Sequence, residues 1–155
     1  MSTNVLVSRF DMTSIEAVTV LNRVLSIVLR SFPQYLRYSR PWVPPGHERE
    51  LAALEKIVTE QDTFAERITA AIDDLGGMLD RGEFPMEFTD THDLSIDYLV
   101  REAIGYGRQD AAGLESLAAT PGLVPPADLL TGEAVHMVKR HLALLEQQAL
   151  PNPIV

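Results

Sequence analysis

Cysteine is absent from the 155 residues, which excludes disulfides and thiolate metal ligands. Basic charge is scarce: 13 Lys and Arg stand against 22 Asp and Glu, for a formal net charge of −9 and a pI near 4.8. A surface of that sign repels phosphate backbones, and no Lys/Arg-rich tail offsets it, so nucleic acid is not an expected partner. The one basic series, Arg23, Arg30, Arg37 and Arg40, is almost evenly spaced and reads as a solvated helix face. Long apolar runs are missing as well. The most apolar stretch, Val18 to Leu29, is interrupted by Asn22 and Arg23 and is too short to span a bilayer, so no membrane association is expected. The opening residues lack the basic stretch and apolar core of a secretory signal, which leaves the cytoplasm as the expected location. Internal repeats and low-complexity segments are absent too.

What is present is a globular composition, 46% hydrophobic and 23% charged. The length suits one domain over residues 1–155. Helical spacing predicts an all-α chain of four helices. The first covers about 15–40, with Thr13 or Ser14 as N-cap and an apolar side formed by Ala17, Leu21, Leu25, Val28, Phe32 and Tyr35. Pro33 should kink it and Pro41 stop it. The second covers about 47–75 and ends at Gly76-Gly77, a strong C-terminal stop. The third covers about 93–119, with Leu99, Val100, Ala103, Gly107, Leu114 and Leu117 on its apolar side. Its glycines, Gly105, Gly107 and Gly113, weaken it intrinsically, so packing must hold it or close helix approach must require them. The fourth covers about 127–149, with Val135, Val138, Leu142, Leu145 and Ala149 facing inward, and Pro151 and Pro153 follow it.

The three connections are short, long, short. Short links make antiparallel hairpins; the long link over 76–92, with apolar residues of its own, can carry the chain along the molecule so that the second and third helices run parallel. One crossover joining two hairpins is the ferritin-like four-helix arrangement. Local motifs point the same way. Leu21-Asn22-Arg23-Val24-Leu25, then Gln34-Tyr35-Leu36 and Arg40, resembles the first helix of bacterioferritins. Ala65-Glu66-Arg67-Ile68 leading to Leu75-Gly76-Gly77 resembles the end of the second helix in ferritins and in the mini-ferritins, the Dps (DNA protection during starvation) family. Asp128-Leu129-Leu130 ahead of a His-bearing last helix is similar to both.

The resemblance to ferritins implies Fe(II) oxidation at a di-iron site inside the bundle, where carboxylates and imidazole share a helix face through Glu-x-x-His. The matching positions here do not supply that set. Val28 stands where the first helix should offer Glu, Gln61 and Phe64 where the second should offer Glu and His, and Val138 where the fourth should offer Glu; Glu102 lies beside the stripe of the third. A one-step shift on the second helix gives Glu60 and Thr63, again without His. The literal Glu133-x-x-His136 pair lies far round its helix from Val138, Leu142 and Leu145 and reads as a surface pair. A complete intrasubunit di-iron site is therefore not expected, nor is haem, since no Met follows a ligand on the second helix. Gln61, on the inward line of an apolar face, needs a partner, for which Glu102, His141 and Tyr35 are candidates.

The mini-ferritin resemblance implies iron at a subunit interface, bound by two His of one chain and an Asp-x-x-x-Glu pair of another. Asp62 and Glu66 match that pair, and His47, fifteen residues before Asp62, matches the second His; Tyr35 occupies the place of the first, and the loop from Trp42 to His47 is abbreviated. Asp62 and Glu66 are i,i+4 neighbours able to share one cation. The expectation is a ferritin- or Dps-like protein with a degenerate metal site at His47, Asp62 and Glu66, weak iron binding or oxidation at a subunit interface, and a homo-oligomer, dimer or larger shell. The alternative is a metal-free assembly or protein-interaction module without catalytic activity. A catalytic module using His92, His136 or His141 as base ranks last, because no nucleophile pattern lies near them.

Overall fold

The computed structural model describes residues 2–39, 41–91 and 94–149, with side chains from Ser14 onward. Among them the chain is all-helical: α1 (Ser2–Leu29), α2 (Phe32–Ser39), α3 (Glu48–Asp74), a 3-10 turn (Met86–Thr91), α4 (Ile96–Ala118) and α5 (Ala127–Ala149). Arg40, His92, the expected helix start at Asp93, Pro151 and Pro153 lie outside the described residues. No helix among the described residues is long and apolar enough to cross a membrane.

The expected first helix is in fact two. α1 ends at Leu29 because Pro33 has no N–H to offer that residue's carbonyl, and α2 restarts with Pro33 in its first turn, where no N–H is needed. The break is complete rather than a kink. Thr13 and Ser14 lie inside α1, so neither caps its start. The other boundaries follow local chemistry. α3 closes in a Schellman motif, with Gly77 N donating to Ile72 O (2.9 Å) and Gly76 N to Asp73 O (2.9 Å). Gly76 takes φ +73°, which a side chain would strain.

Cross-contacts set the helix directions. Gly77 lies against Val18, while Gln34 reaches Asp62, so α1 and α2 run opposite to α3. Arg108 meets Glu146 and Lys139 meets Glu115, so α4 and α5 are antiparallel. Arg67 meets Glu133 and Glu60 meets His141, so α5 also opposes α3. α3 and α4 consequently run the same way. The segment between them climbs along α1. Asn22 grips it with both ends of its amide, donating to Met78 O and accepting from Asp80 N, each at 2.8 Å. Arg30 Nε donates to Gly82 O at 2.9 Å and its guanidinium covers Phe84 at 5.0 Å. Phe88 then enters an aromatic group, 5.0 Å from Phe32 and 4.8 Å from Tyr106. A single parallel bridge follows: Trp42 N donates to Leu94 O and Ile96 N to Trp42 O, which seats the start of α4 beside the start of α3.

The core has two apolar clusters. One contains Leu21, Leu25, Val28, Phe64, Ile68, Ile72, Leu114 and Val138. The other contains Phe32, Leu36, Leu54, Ile57, Phe88, Leu99, Ala103 and Leu145. Between them, at the α1–α2 break and midway along α3 and α5, lies a polar seam of Ser31, Gln34, Gln61 and His141, all buried.

Candidate metal centre

The site grows from two helix starts brought together. Pro44-Pro45-Gly46 turns the chain, with Gly46 at φ +94° and His47 N donating to Pro44 O at 3.1 Å. His47 is thereby the N-cap of α3, and Glu50 follows in its first turn. Asp97 sits in the first turn of α4. Acids are favoured there because free N–H groups and aligned peptide dipoles make a helix start electropositive. The Trp42–Ser95 bridge then holds the two starts together.

His47 Nδ1 lies 2.9 Å from Glu50 Oε1 and 2.9 Å from Asp97 Oδ1. Ligand atoms of the three residues all lie within 4.8 Å of one another, the one such group of three His or acidic side chains among the described residues. Side-chain exposure is 28% for His47, 14% for Glu50 and 44% for Asp97, so the group is half sheltered and open on one side. Glu50 Oε2 is buried without a hydrogen-bond partner. The hydrogen bond to Glu50 chiefly holds the His47 imidazole above its ordinary pKa. Burial chiefly raises the Glu50 carboxyl, and its contact with Asp97 adds to that. Two carboxylates share one imidazole proton, so the group is short of positive charge. A cation bound at about 2.0–2.2 Å from N and O would spread the ligands to roughly 3–3.4 Å, a small step from the present spacing.

Of the expected ligands, only His47 belongs to this group. Asp62 and Glu66 lie fifteen and nineteen residues further along α3, so Asp62 is roughly 22 Å away at 1.5 Å per residue. The mini-ferritin scheme joins them across two chains. Within one chain, both face a cleft also lined by Arg30, Arg37 and Arg81. Asp62 is engaged there, pairing with Arg37 at 3.2 Å and accepting from Gln34 at 3.0 Å. Arg30 and Arg37 thus serve the fold, beyond the solvated face their spacing suggests.

Glu133 and His136 are exposed, as expected, with Glu133 paired to Arg67. Gln61 is 4% exposed. Its Oε1 accepts from Ser31 Oγ at 3.3 Å and from Gln34 Nε2 at 3.2 Å. His141, one of its proposed partners, turns Nε2 instead to Glu60 Oε2 at 2.9 Å. Val28, Phe64 and Val138 are buried in the apolar core.

Sequence reasoning missed Glu50 and Asp97. The first has a local signal, since His47-x-x-Glu50 places imidazole and carboxylate on one helix face just as Glu-x-x-His does. Asp97 has none, because only the packing of α4 beside α3 brings it in. Comparison of the chain with protein-family models, with curated proteins and with solved structures finds no match.

Proposed function

We propose that this chain is a ferritin-like four-helix bundle, with the segment 75–95 as its crossover, that binds a divalent transition-metal ion where α3 and α4 begin. The observation that carries the reading is the convergence of His47 Nδ1 and two carboxylates within hydrogen-bonding distance, with a buried, unpartnered carboxylate oxygen on Glu50. One imidazole and two carboxylates suit Zn(II), Mn(II) or Fe(II). The parallel run of α3 and α4 and the motifs of the first and second helices support the architecture. Binding is weak, because two helix starts direct positive dipole ends at the site and a proton on His47 competes with the metal.

Calorimetric titration of the full chain with Zn(II) at pH 7.5 is expected to give one site per chain. His47→Ala and Glu50→Gln abolish it. Affinity falls about tenfold per pH unit once His47 is protonated. A flat isotherm ends the reading. Aerobic Fe(II) addition separates the site from the subunit-interface alternative: ferric absorbance that grows faster than in buffer and is lost in Asp62→Ala assigns the chemistry to His47, Asp62 and Glu66 between two chains.

The second reading is a metal-free assembly module, a homo-oligomer of this chain. It is favoured by exposed Tyr38 and Trp42 close to an apolar groove of about 400 Å³ lined by Leu36, Leu51, Leu54 and Val58. A dimer or shell by size-exclusion mass together with no zinc binding would select it.

A further inference from the structure

Beside the polar seam lies a cavity of about 20 Å³ lined by Ser31, Gln61, Asp110 and His141 among apolar neighbours. His141 is 6% exposed. Glu60, a carboxylate that can only accept, takes the hydrogen of Nε2. The tautomer so fixed leaves Nδ1 with a lone pair, and Nδ1 is buried with no partner. Asp110 lines the same cavity from α4, partly exposed, and makes no hydrogen bond or ion pair among the described residues. Two acceptors thus line one cavity with no donor between them, and the one on His141 is fully buried. The volume exceeds the roughly 10–15 Å³ that one water needs.

We infer that this cavity is a binding site for one water molecule and one proton: Asp110 carries the proton and donates to the water, and the water donates to His141 Nδ1. The water's second hydrogen has the Ser31 hydroxyl oxygen as acceptor, since Gln61 Oε1 already accepts two hydrogen bonds; this completes three bonds, the usual number for an interior water. A proton neutralises Asp110 fully. A divalent ion on one carboxylate and one neutral imidazole would leave positive charge in the interior, which is why the proton is favoured.

The charged groups bearing on His141 are Glu60 and Lys56 of α3 and Arg140 of α5; burial outweighs the Glu60 hydrogen bond and holds His141 below its ordinary pKa. Burial alone acts on Asp110, raising it to about 7. From the α1–α2 corner, the polar group reaching the cavity is the Ser31 hydroxyl, which does not titrate.

The test is NMR on the full chain, following Asp110 13Cγ and the His141 ring nitrogens from pH 4 to 9. Asp110 is expected to titrate near 7. His141 should show hydrogen on Nε2 and a bare Nδ1 above pH 6.5, and water-selective exchange peaks should appear at His141. Asp110 titrating near 4, or hydrogen found on Nδ1, overturns the inference. So does a shift of the His141 Nδ1 signal on adding Zn(II) to His47→Ala, which would make the occupant a metal. Asp110→Asn, which keeps shape and donor, is expected to retain the water peaks; their loss in a folded variant also counts against it. If that variant does not fold, the titration of the native chain decides.

Discussion

Two groups at the polar seam contribute to the pH response of this protein in opposite senses. Asp110 has an ordinary value of 3.8 and a folded value of about 7. Across that window the folded chain keeps a proton that the unfolded chain has released, so stability falls as pH rises, by up to about 1.4 kcal/mol per unit, and is level above 7. His141 lies below its ordinary 6.5 when folded. Below pH 6.5 the unfolded chain therefore takes up a proton first, and this share of stability is lost as pH falls. Below pH 6.5 the two oppose each other, so urea unfolding of the native chain from pH 4 to 8 is expected to show their difference. Asp110→Asn should remove only the first, gaining up to about 4 kcal/mol on the native chain at pH 8 relative to pH 4. Equal pH profiles for the two proteins would contradict the burial of Asp110. The sequence does carry a trace of this residue: Asp110 is three after Gly107 and four before Leu114, on the same stripe of α4. What it cannot carry is the depth of the site, because a helical wheel gives direction and not the distance to the opposite wall.

For a helix, the same limit appears in the glycines. Gly105 and Gly107 look alike in sequence, and both lower the helix propensity of α4. In the structure a Cβ at Gly107 would lie 2.8 Å from Leu142 Cδ2, whereas at Gly105 nothing lies within 4 Å. Gly107 is thus one of the points at which α4 meets α5. Gly107→Ala should cost about 1–3 kcal/mol through overpacking. Gly105→Ala should gain about 0.5–1 kcal/mol by restricting the unfolded chain. Denaturant midpoints of the two variants measure both, and equal signs would refute the assignment. Boundaries follow a similar division. The end of α3 was legible because a Schellman cap is made from neighbouring residues. The start of α1 was not, because Thr13 and Ser14 favour a cap without compelling one, and the helix continues through them. Pro33 announced an interruption but not its size.

Across the whole molecule, the long segment after α3 acts as a packed strut. Its clamp at Asn22, its Arg30–Phe84 contact and the packing of Phe88 against Phe32 and Tyr106 hold it along α1, α2 and α4. Phe88→Ala should therefore cost about 3–5 kcal/mol. It should also raise amide exchange at Trp42 and Ile96, the two donors of the bridge that joins the helix starts. A loss confined to residues 84–91 would mean the segment is a passive loop. The same bridge positions Asp97 beside His47, so the integrity of the strut and the affinity of the metal site are expected to change together.

Helix content, the approximate spans of α3, α4 and α5, their apolar sides and the stop at Gly76-Gly77 were determined by the sequence alone, because periodicity and caps act over three or four residues. Tertiary structure decided the rest. It chose which carboxylates meet His47, tied Asp62 to Arg37, and enclosed Asp110 and His141 around one small cavity. Apart from Glu50, three residues after His47, the partners in these pairs lie at least twenty-five residues apart, where short-range pattern carries no information and the packing of helix on helix supplies all of it.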